Sequence, residues 1–208
     1  MDTNERISNQ LLLKSIELQN IGLYHGKMGL VLALYLYAHQ AEQEHINDFA
    51  WDLLQEVYKG VNETLPVGLE YGLSGIGYGV SLLKKHGIFD CDLNGVLQGI
   101  DQKIMAYDPR RITDFSYRSG AWGVCSYIRL RQEVEGQVSS FDPQYLQELQ
   151  QALATAPAFP HGVPHRTLWE DLQAPDWELS EFHDKPIGIN EGLAYFLINN
   201  LIPQLTET

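Results

Sequence analysis

The octapeptide Gly22-Leu23-Tyr24-His25-Gly26-Lys27-Met28-Gly29 returns three more times in this chain, and no other feature limits the available folds as strongly. The copies are Gly68-Leu69-Glu70-Tyr71-Gly72-Leu73-Ser74-Gly75, a worn Ser116-Tyr117-Arg118-Ser119-Gly120-Ala121-Trp122-Gly123, and Gly188-Ile189-Asn190-Glu191-Gly192-Leu193-Ala194-Tyr195. Their shared glycines stand at 26, 72, 120 and 192, which gives steps of 46, 48 and 72 residues. Self-similarity at such periods marks stacked supersecondary units, none of which can bury its apolar face alone.

The residues after each copy identify the unit. The run Leu30 to Ala38 is apolar on every side, so as a helix it must be buried, and it is too short to span a bilayer. Ile76 to Leu83 reads likewise and ends in Lys84-Lys85-His86-Gly87, a basic last turn with a glycine stop. Glycine inside a helix costs about 1 kcal/mol relative to alanine, so Gly77 and Gly79 predict close approach of a neighbouring helix. A third inner helix is expected from about Gly120 to Glu133 and a short last one over Leu193 to Leu201.

Amphipathic stretches lie between these runs. Residues 5–19 carry Ile7, Leu11, Leu12, Leu13, Ile16 and Leu18; residues 45–59 place Ile46, Phe49, Leu53, Val57 and Tyr58 largely on one face. Residues 92–106 space Leu93, Val96, Leu97, Ile100, Ile104 and Met105 helically behind Asp90 or Asp92 as a cap. Asp142-Pro143, an acidic cap with proline at the first helical position, opens a further helix to about Thr155. The fold expected is all-α: a single domain over residues 1–208, a toroid-like α/α repeat of about four helical hairpins with glycine-started inner helices, forming a partial or small α/α barrel. Residues 156–187 break the pattern with five of the nine prolines, two tryptophans, His161, His165 and His183, and read as an inserted, ordered lid or flap.

Charge narrows the partners. With 14 Lys and Arg against 27 Asp and Glu the net charge is −13, which disfavours nucleic acid and anionic membrane and suits a cationic or neutral partner, besides keeping the protein soluble. The opening Met1 to Glu5 lacks the basic-then-apolar pattern of a secretory signal, so a cytoplasmic location is expected. Cys91 and Cys125 supply no disulfide framework.

Gly-x-x-His-Gly-x-x-Gly before one buried helix and Gly-Leu-Ser-Gly-Ile-Gly before the next resemble lanthionine synthetase C-like proteins, from about residue 20 to residue 200. That resemblance implies a toroid of seven helix pairs and, for the family's cyclases, addition of cysteine thiols to dehydrated Ser or Thr in a precursor peptide. Those cyclases activate the thiol on a zinc ion held by two cysteines and a histidine. Here the pairs preceding the shared glycines are Tyr24-His25, Glu70-Tyr71, Arg118-Ser119 and Asn190-Glu191, so only His25 matches a ligand type and neither cysteine occupies a ligand slot. No zinc, no other cofactor and no cyclase activity of the family type are expected. Four helix pairs in place of seven imply an open arc, a smaller closed ring, or half of a dimeric ring, with homo-oligomerisation left open.

Candidate site residues come from the same loops. His25 is either an acid or base at the mouth of the ring or a helix-start histidine bonding a neighbouring loop. Glu70, Tyr71, Asp114, Arg118, Asn190 and Glu191 fall in equivalent loops and are candidates to line that mouth, although cap and turn duties account for them equally well. Tyr24, Tyr71 and Trp122 are read as core or rim packing. Gly75-x-Gly77-x-Gly79 invites a nucleotide-loop reading but lacks a preceding strand run. His161 and His165, with Glu170, Asp171, His183 and Asp184 nearby, offer a loop-borne metal site, against a plain surface loop. The expected function is binding of a peptide or protein partner in peptide modification without zinc chemistry. The alternatives are an α/α-toroid enzyme acting on sugars through paired carboxylates among Glu70, Asp114 and Glu191, or a scaffold that completes a ring. Protein purified without a histidine tag or added metal is expected to carry no stoichiometric zinc by elemental analysis; one zinc per chain would contradict the ligand reading.

Overall fold

Glycine starts four helices in one backbone conformation. Gly26, Gly72, Gly120 and Gly192 hold φ of −124°, −116°, −110° and −124° with extended ψ, and none receives a side-chain cap. The computed structural model describes residues 2–136, 140–156 and 167–201, and among these every regular element is helical.

The helices that begin at those glycines are α2 (Lys27–Ala41), α4 (Leu73–Lys85), α6 (Ala121–Glu135) and α9 (Leu193–Asn199). Every residue of α2 from Met28 to Ala38 is buried, as its all-round apolar sequence requires. Helix α2 packs against both α9 and α4, and α4 packs against α6, which gives the spatial order α9, α2, α4, α6. The amphipathic helices back them: α1 (Thr3–Ser15) lies on α9 and α2, α3 (Glu44–Gly60) on α2, α5 (Leu93–Met105) on α4, and α7 (Pro143–Ala154) on α6. Asp92 caps α5 through the amides of Asn94 and Gly95, and Asp142 caps α7 through those of Gln144 and Tyr145.

The glycines inside α4 answer to their neighbours. A Cβ on Gly77 would meet the Tyr127 ring of α6 at 2.5 Å, and one on Gly79 would meet Met28 of α2 at 2.7 Å. Close helix approach is therefore the reason for both. A further tight contact lies one turn into three of the helices, where a Cβ on Gly29, Gly75 or Gly123 would run into the carbonyl oxygen of Leu23, Leu69 or Tyr117. The fourth helix carries Tyr195 at that place.

Two features go beyond the sequence reading. Leu13 and Ile16 are 69% and 75% exposed, because α1 buries Ile7 and Leu11, packs Leu12 against the core in part, and ends at Ser15. The described part of the 156–187 insertion also has regular structure: α8 (Leu168–Asp171) and a 3-10 turn over Leu179–Asp184. Thr167 and Glu170 form a reciprocal capping box at α8, which is how so short a helix holds its start.

Between α5 and α6 lies a buried polar knot. Arg131 is fully buried and pairs with Asp101 at 3.5 Å and with Glu135, while the Tyr127 hydroxyl donates to Asp101. Burial raises the Asp101 carboxyl above its ordinary value, with the Tyr127 hydrogen bond and the Arg131 charge working the other way.

The glycine contacts give a paired stability test. Gly75→Ala should destabilise the chain by about 3 kcal/mol, since the obstacle is backbone that cannot step aside. Gly99→Ala, on the exposed side of α5 with nothing within 4 Å of the added carbon, should stabilise by roughly 0.5–1 kcal/mol. Urea midpoints of the two variants would check both signs.

Candidate functional site

The loops that precede the four glycine-started helices hydrogen-bond to one another in series. The amides of Leu23 and Tyr24 both donate to the Glu70 carbonyl, at 3.0 and 3.3 Å. Those of Leu69 and Glu70 both donate to the Arg118 carbonyl, each at 2.8 Å, and the Asn190 amide donates to the Tyr24 carbonyl at 3.2 Å. The loops thus run 188–192, 22–26, 68–72, 116–120, the order of their helices. The first glycine of a motif is where each loop meets the next: added carbons on Gly188, Gly22 and Gly68 would fall 2.5 to 2.7 Å from the carbonyls of Tyr24, Glu70 and Ser119. The loop at the end of the series has Ser116 in that position, exposed, which explains why the third copy looks worn.

Within each motif the side chains divide by position. The second residues, Leu23, Leu69, Tyr117 and Ile189, are buried in the core. The third residues, Tyr24, Glu70, Arg118 and Asn190, converge on one another. The Arg118 guanidinium stacks 4.8 Å from the Tyr24 ring centroid, donates from Nη2 to Asn190 Oδ1 at 3.2 Å, and places Nη1 at 3.9 Å from Glu70 Oε1. Of the fourth residues, His25, Tyr71 and Glu191 border that cluster, while the Ser119 side chain is tied to Asp114 in its own loop. His25 Nε2 lies 3.2 Å from Glu70 Oε1, and its ring stacks on Tyr71 at 5.9 Å between centroids.

One member of the cluster comes from outside the motifs. Asp171, at the end of α8, has its side chain 5% exposed and accepts from Arg118 Nε at 2.7 Å and from the Tyr24 hydroxyl at 3.0 Å. Although burial works against its charge, the hydrogen bond and charge of Asp171 hold the Arg118 guanidinium above its ordinary value. Burial first, and Asp171 second, push the Tyr24 phenol far upward, so it stays a neutral donor. Burial and then Glu70 raise the Tyr71 phenol as well.

The expected site residues fall into two groups. His25, Glu70, Tyr71, Arg118 and Asn190 are brought together, and Glu191 joins them through Asn190 Nδ2 at 3.5 Å. Glu191 holds φ of +53°, an uncommon left-handed conformation for a non-glycine residue, and thereby turns its amide to the Gln173 carbonyl at 2.9 Å. Asp114 stands apart, tied into its own loop: its carboxylate accepts from the Ser116 amide at 2.8 Å and the Ser119 hydroxyl at 2.7 Å. Trp122 is partly buried against the core and Tyr24 is fully buried in it, as expected of packing residues, and Tyr24 stands at the centre of the cluster as well. Asp171 and Gln173 carry no motif signature of mouth residues; the capping-box spacing Thr167 to Glu170 is the one sequence signal that places a helix end there.

Family-type zinc ligation does not fit these residues. Cys91 follows the C-terminal end of α4, about 20 Å along the helix from the Gly72 loop, and Cys125 faces a cavity of about 540 Å³ between α6 and α7. Among the described residues no group of three or more His, Cys, Asp or Glu side chains is arranged to hold a metal ion. His161 and His165, the core of the alternative loop-borne site, lie outside the described residues. Among the described residues no helix is long and apolar enough to cross a membrane.

No family model, curated protein or solved structure matches the chain.

The Asp114 turn makes a pH prediction. The hydrogen bond from Ser119, and then that from the Ser116 amide, hold its carboxyl below the ordinary value. The unfolded chain takes up the proton first as pH falls, so this contribution is complete above about pH 4 and is lost below it as the folded carboxyl titrates. Asp114→Asn should lose less thermal stability than the parent chain between about pH 5 and pH 2.5; equal losses would show that the turn carries no such linkage.

Proposed function

We propose that this chain is a lanthionine synthetase C-like protein in which four helical hairpins form a small α/α toroid. The mouth made by its four glycine loops binds an extended peptide segment, without zinc-dependent cyclisation. For the architecture, the support is the order α9, α2, α4, α6, with an amphipathic helix behind each and motif loops bonded in series at one end.

The observation that carries the binding reading is how the loops treat residues 171–173. Asn190 and Glu191 hold the main chain of Gln173 on both sides, and Arg118 holds the carbonyl of Asp171. Main-chain recognition of an extended stretch, with side-chain pockets setting specificity, is how peptide-binding surfaces work. His25, Glu70 and Tyr71 extend the same face with an imidazole, a carboxylate and a half-exposed phenol. These three set the chemistry of the mouth beyond residues 171–173, with His25 stacked on Tyr71 and that ring 46% exposed.

The sugar-enzyme reading is less well supported, because the carboxylates it needs are engaged separately. Glu70 faces His25 and Arg118, while Asp114 is bound within its own turn.

An array of overlapping decapeptides probed with the full chain tests the proposal. Binding is expected for a subset and should fall at least tenfold in His25→Ala and Glu70→Gln, while thiols of a dehydroalanine-containing cysteine peptide stay free. Absence of peptide binding, or zinc-dependent loss of those thiols, would overturn the reading.

A further inference from the structure

The cluster at the centre of the glycine loops holds a carboxylate and the main chain of an extended stretch of the protein's own residues. Asp171, Leu172 and Gln173 lie across the loops, with Leu172 extended at φ −65° and ψ 139°. The Asp171 side chain accepts from Arg118 Nε at 2.7 Å and from Tyr24 at 3.0 Å, and its carbonyl accepts from Arg118 Nη2 at 3.0 Å. Two residues on, the Gln173 amide donates to Asn190 Oδ1 at 2.9 Å and the Gln173 carbonyl accepts from the Glu191 amide at 2.9 Å. Three motif copies supply these groups, and Glu70 of the remaining copy faces Arg118 from the other side.

These contacts define a ligand chemistry. Arginine presenting Nε to a carboxylate oxygen and Nη2 to the main-chain carbonyl of the same residue, backed by an aromatic face and joined by a phenol donor, recognises an acidic residue within a chain. Asn190 and Glu191 read an amide and a carbonyl two residues further along, so the ligand is an internal stretch of chain with Asp first and a free main chain at the third residue. A terminal carboxylate could not present that third residue.

The geometry points to residues 171–173 acting as an intramolecular pseudo-ligand that competes with an aspartate-bearing extended peptide from a partner. This rests on the peptide-binding reading above and gives it a substrate class and a form of self-inhibition. A tethered segment competes at an effective concentration in the millimolar range, so a peptide in trans binds the parent chain with its affinity reduced by the fraction of open sites.

A fluorescein-labelled peptide with the sequence of residues 167–175 is the probe, read by anisotropy against full-length protein. Asp171→Ala should bind it at least tenfold more tightly than the parent chain does. The probe with asparagine for its aspartate should lose at least tenfold, and Arg118→Gln added to Asp171→Ala should abolish binding. Equal affinity for the parent and Asp171→Ala chains, or binding indifferent to Arg118, would overturn the inference. Should Asp171→Ala fail to fold, amide exchange of Leu172 and Gln173 in the parent chain answers instead: a millimolar concentration of the probe should accelerate it, and unchanged exchange would overturn the inference. Array peptides that bind the parent chain without disturbing exchange at 172–173 would sink this inference alone. Absence of any bound peptide in every chain would sink the peptide-binding reading with it.

Discussion

Main-chain carbonyls hold the arrangement together. Glu70 and Arg118 each accept two amides from the loop that precedes them in the series, and Tyr24 accepts one, so the backbone of each loop sits on that of the next. Backbone can approach backbone this closely only where side chains are missing, and Gly22, Gly68 and Gly188 stand at those contacts. Once the loops are fixed, the helices that spring from them are fixed in spacing, and glycine recurs one turn in, where Gly29, Gly75 and Gly123 meet a carbonyl oxygen. The repeated octapeptide is therefore the written form of one constraint met several times: close packing of loops at the starts of helices. Hydrophobic burial along α2 and α4 then stabilises what the loops align, at roughly 1.5–3 kcal/mol per large side chain.

Most helix positions were legible because each depends on local chemistry. Asp92 and Asp142 cap where an acidic residue precedes an apolar-periodic run, and α2 is buried because no polar stripe interrupts Met28 to Ala38. Gly77 and Gly79 carried information about neighbours that the sequence does not name; only the structure identifies Tyr127 and Met28 as those neighbours. The orientation of α1 was less legible. Its run of leucines and isoleucines is apolar on too many sides for periodicity to choose a face, and Leu13 and Ile16 lie on the side the core does not cover. Within the motifs, the three-way division into core, centre and rim was present in the alignment of copies, yet residue type alone hid it. Tyr24 looks like packing, and it is the neutral donor on which Asp171 depends.

Global charge was a poor guide to the centre of the site. A net charge of −13 suits a cationic or neutral partner, but it acts at the scale of a Debye length. Inside the cluster the relevant distances are 2.7 to 3.9 Å, and the group in command is Arg118, held between Asp171, Asn190 and Glu70 and stacked on Tyr24. The excess of acid over base is thus a property of the whole chain, while the middle of the loops is organised around one arginine.

The irregular last step of the repeat has a physical cause. The first two steps between shared glycines are 46 and 48 residues, and the third is 72, which exceeds its predecessor by 72 − 48 = 24 residues. Within that longer step lies α8, closed by a capping box and ending at Asp171. Its distance in sequence from the two copies that grip its carboxylate concealed its role: Asp171 is 53 residues from Arg118 and 147 from Tyr24. Nothing in the periodicity requires a carboxylate there. The requirement comes from the charge of Arg118, whose guanidinium is only partly exposed and costs several kcal/mol if left unpaired in such surroundings. All four copies of the motif align on their shared glycines, but the residue that completes the cluster comes from the segment that breaks the pattern, because no motif copy supplies a carboxylate aimed at Arg118 from the side of Asn190.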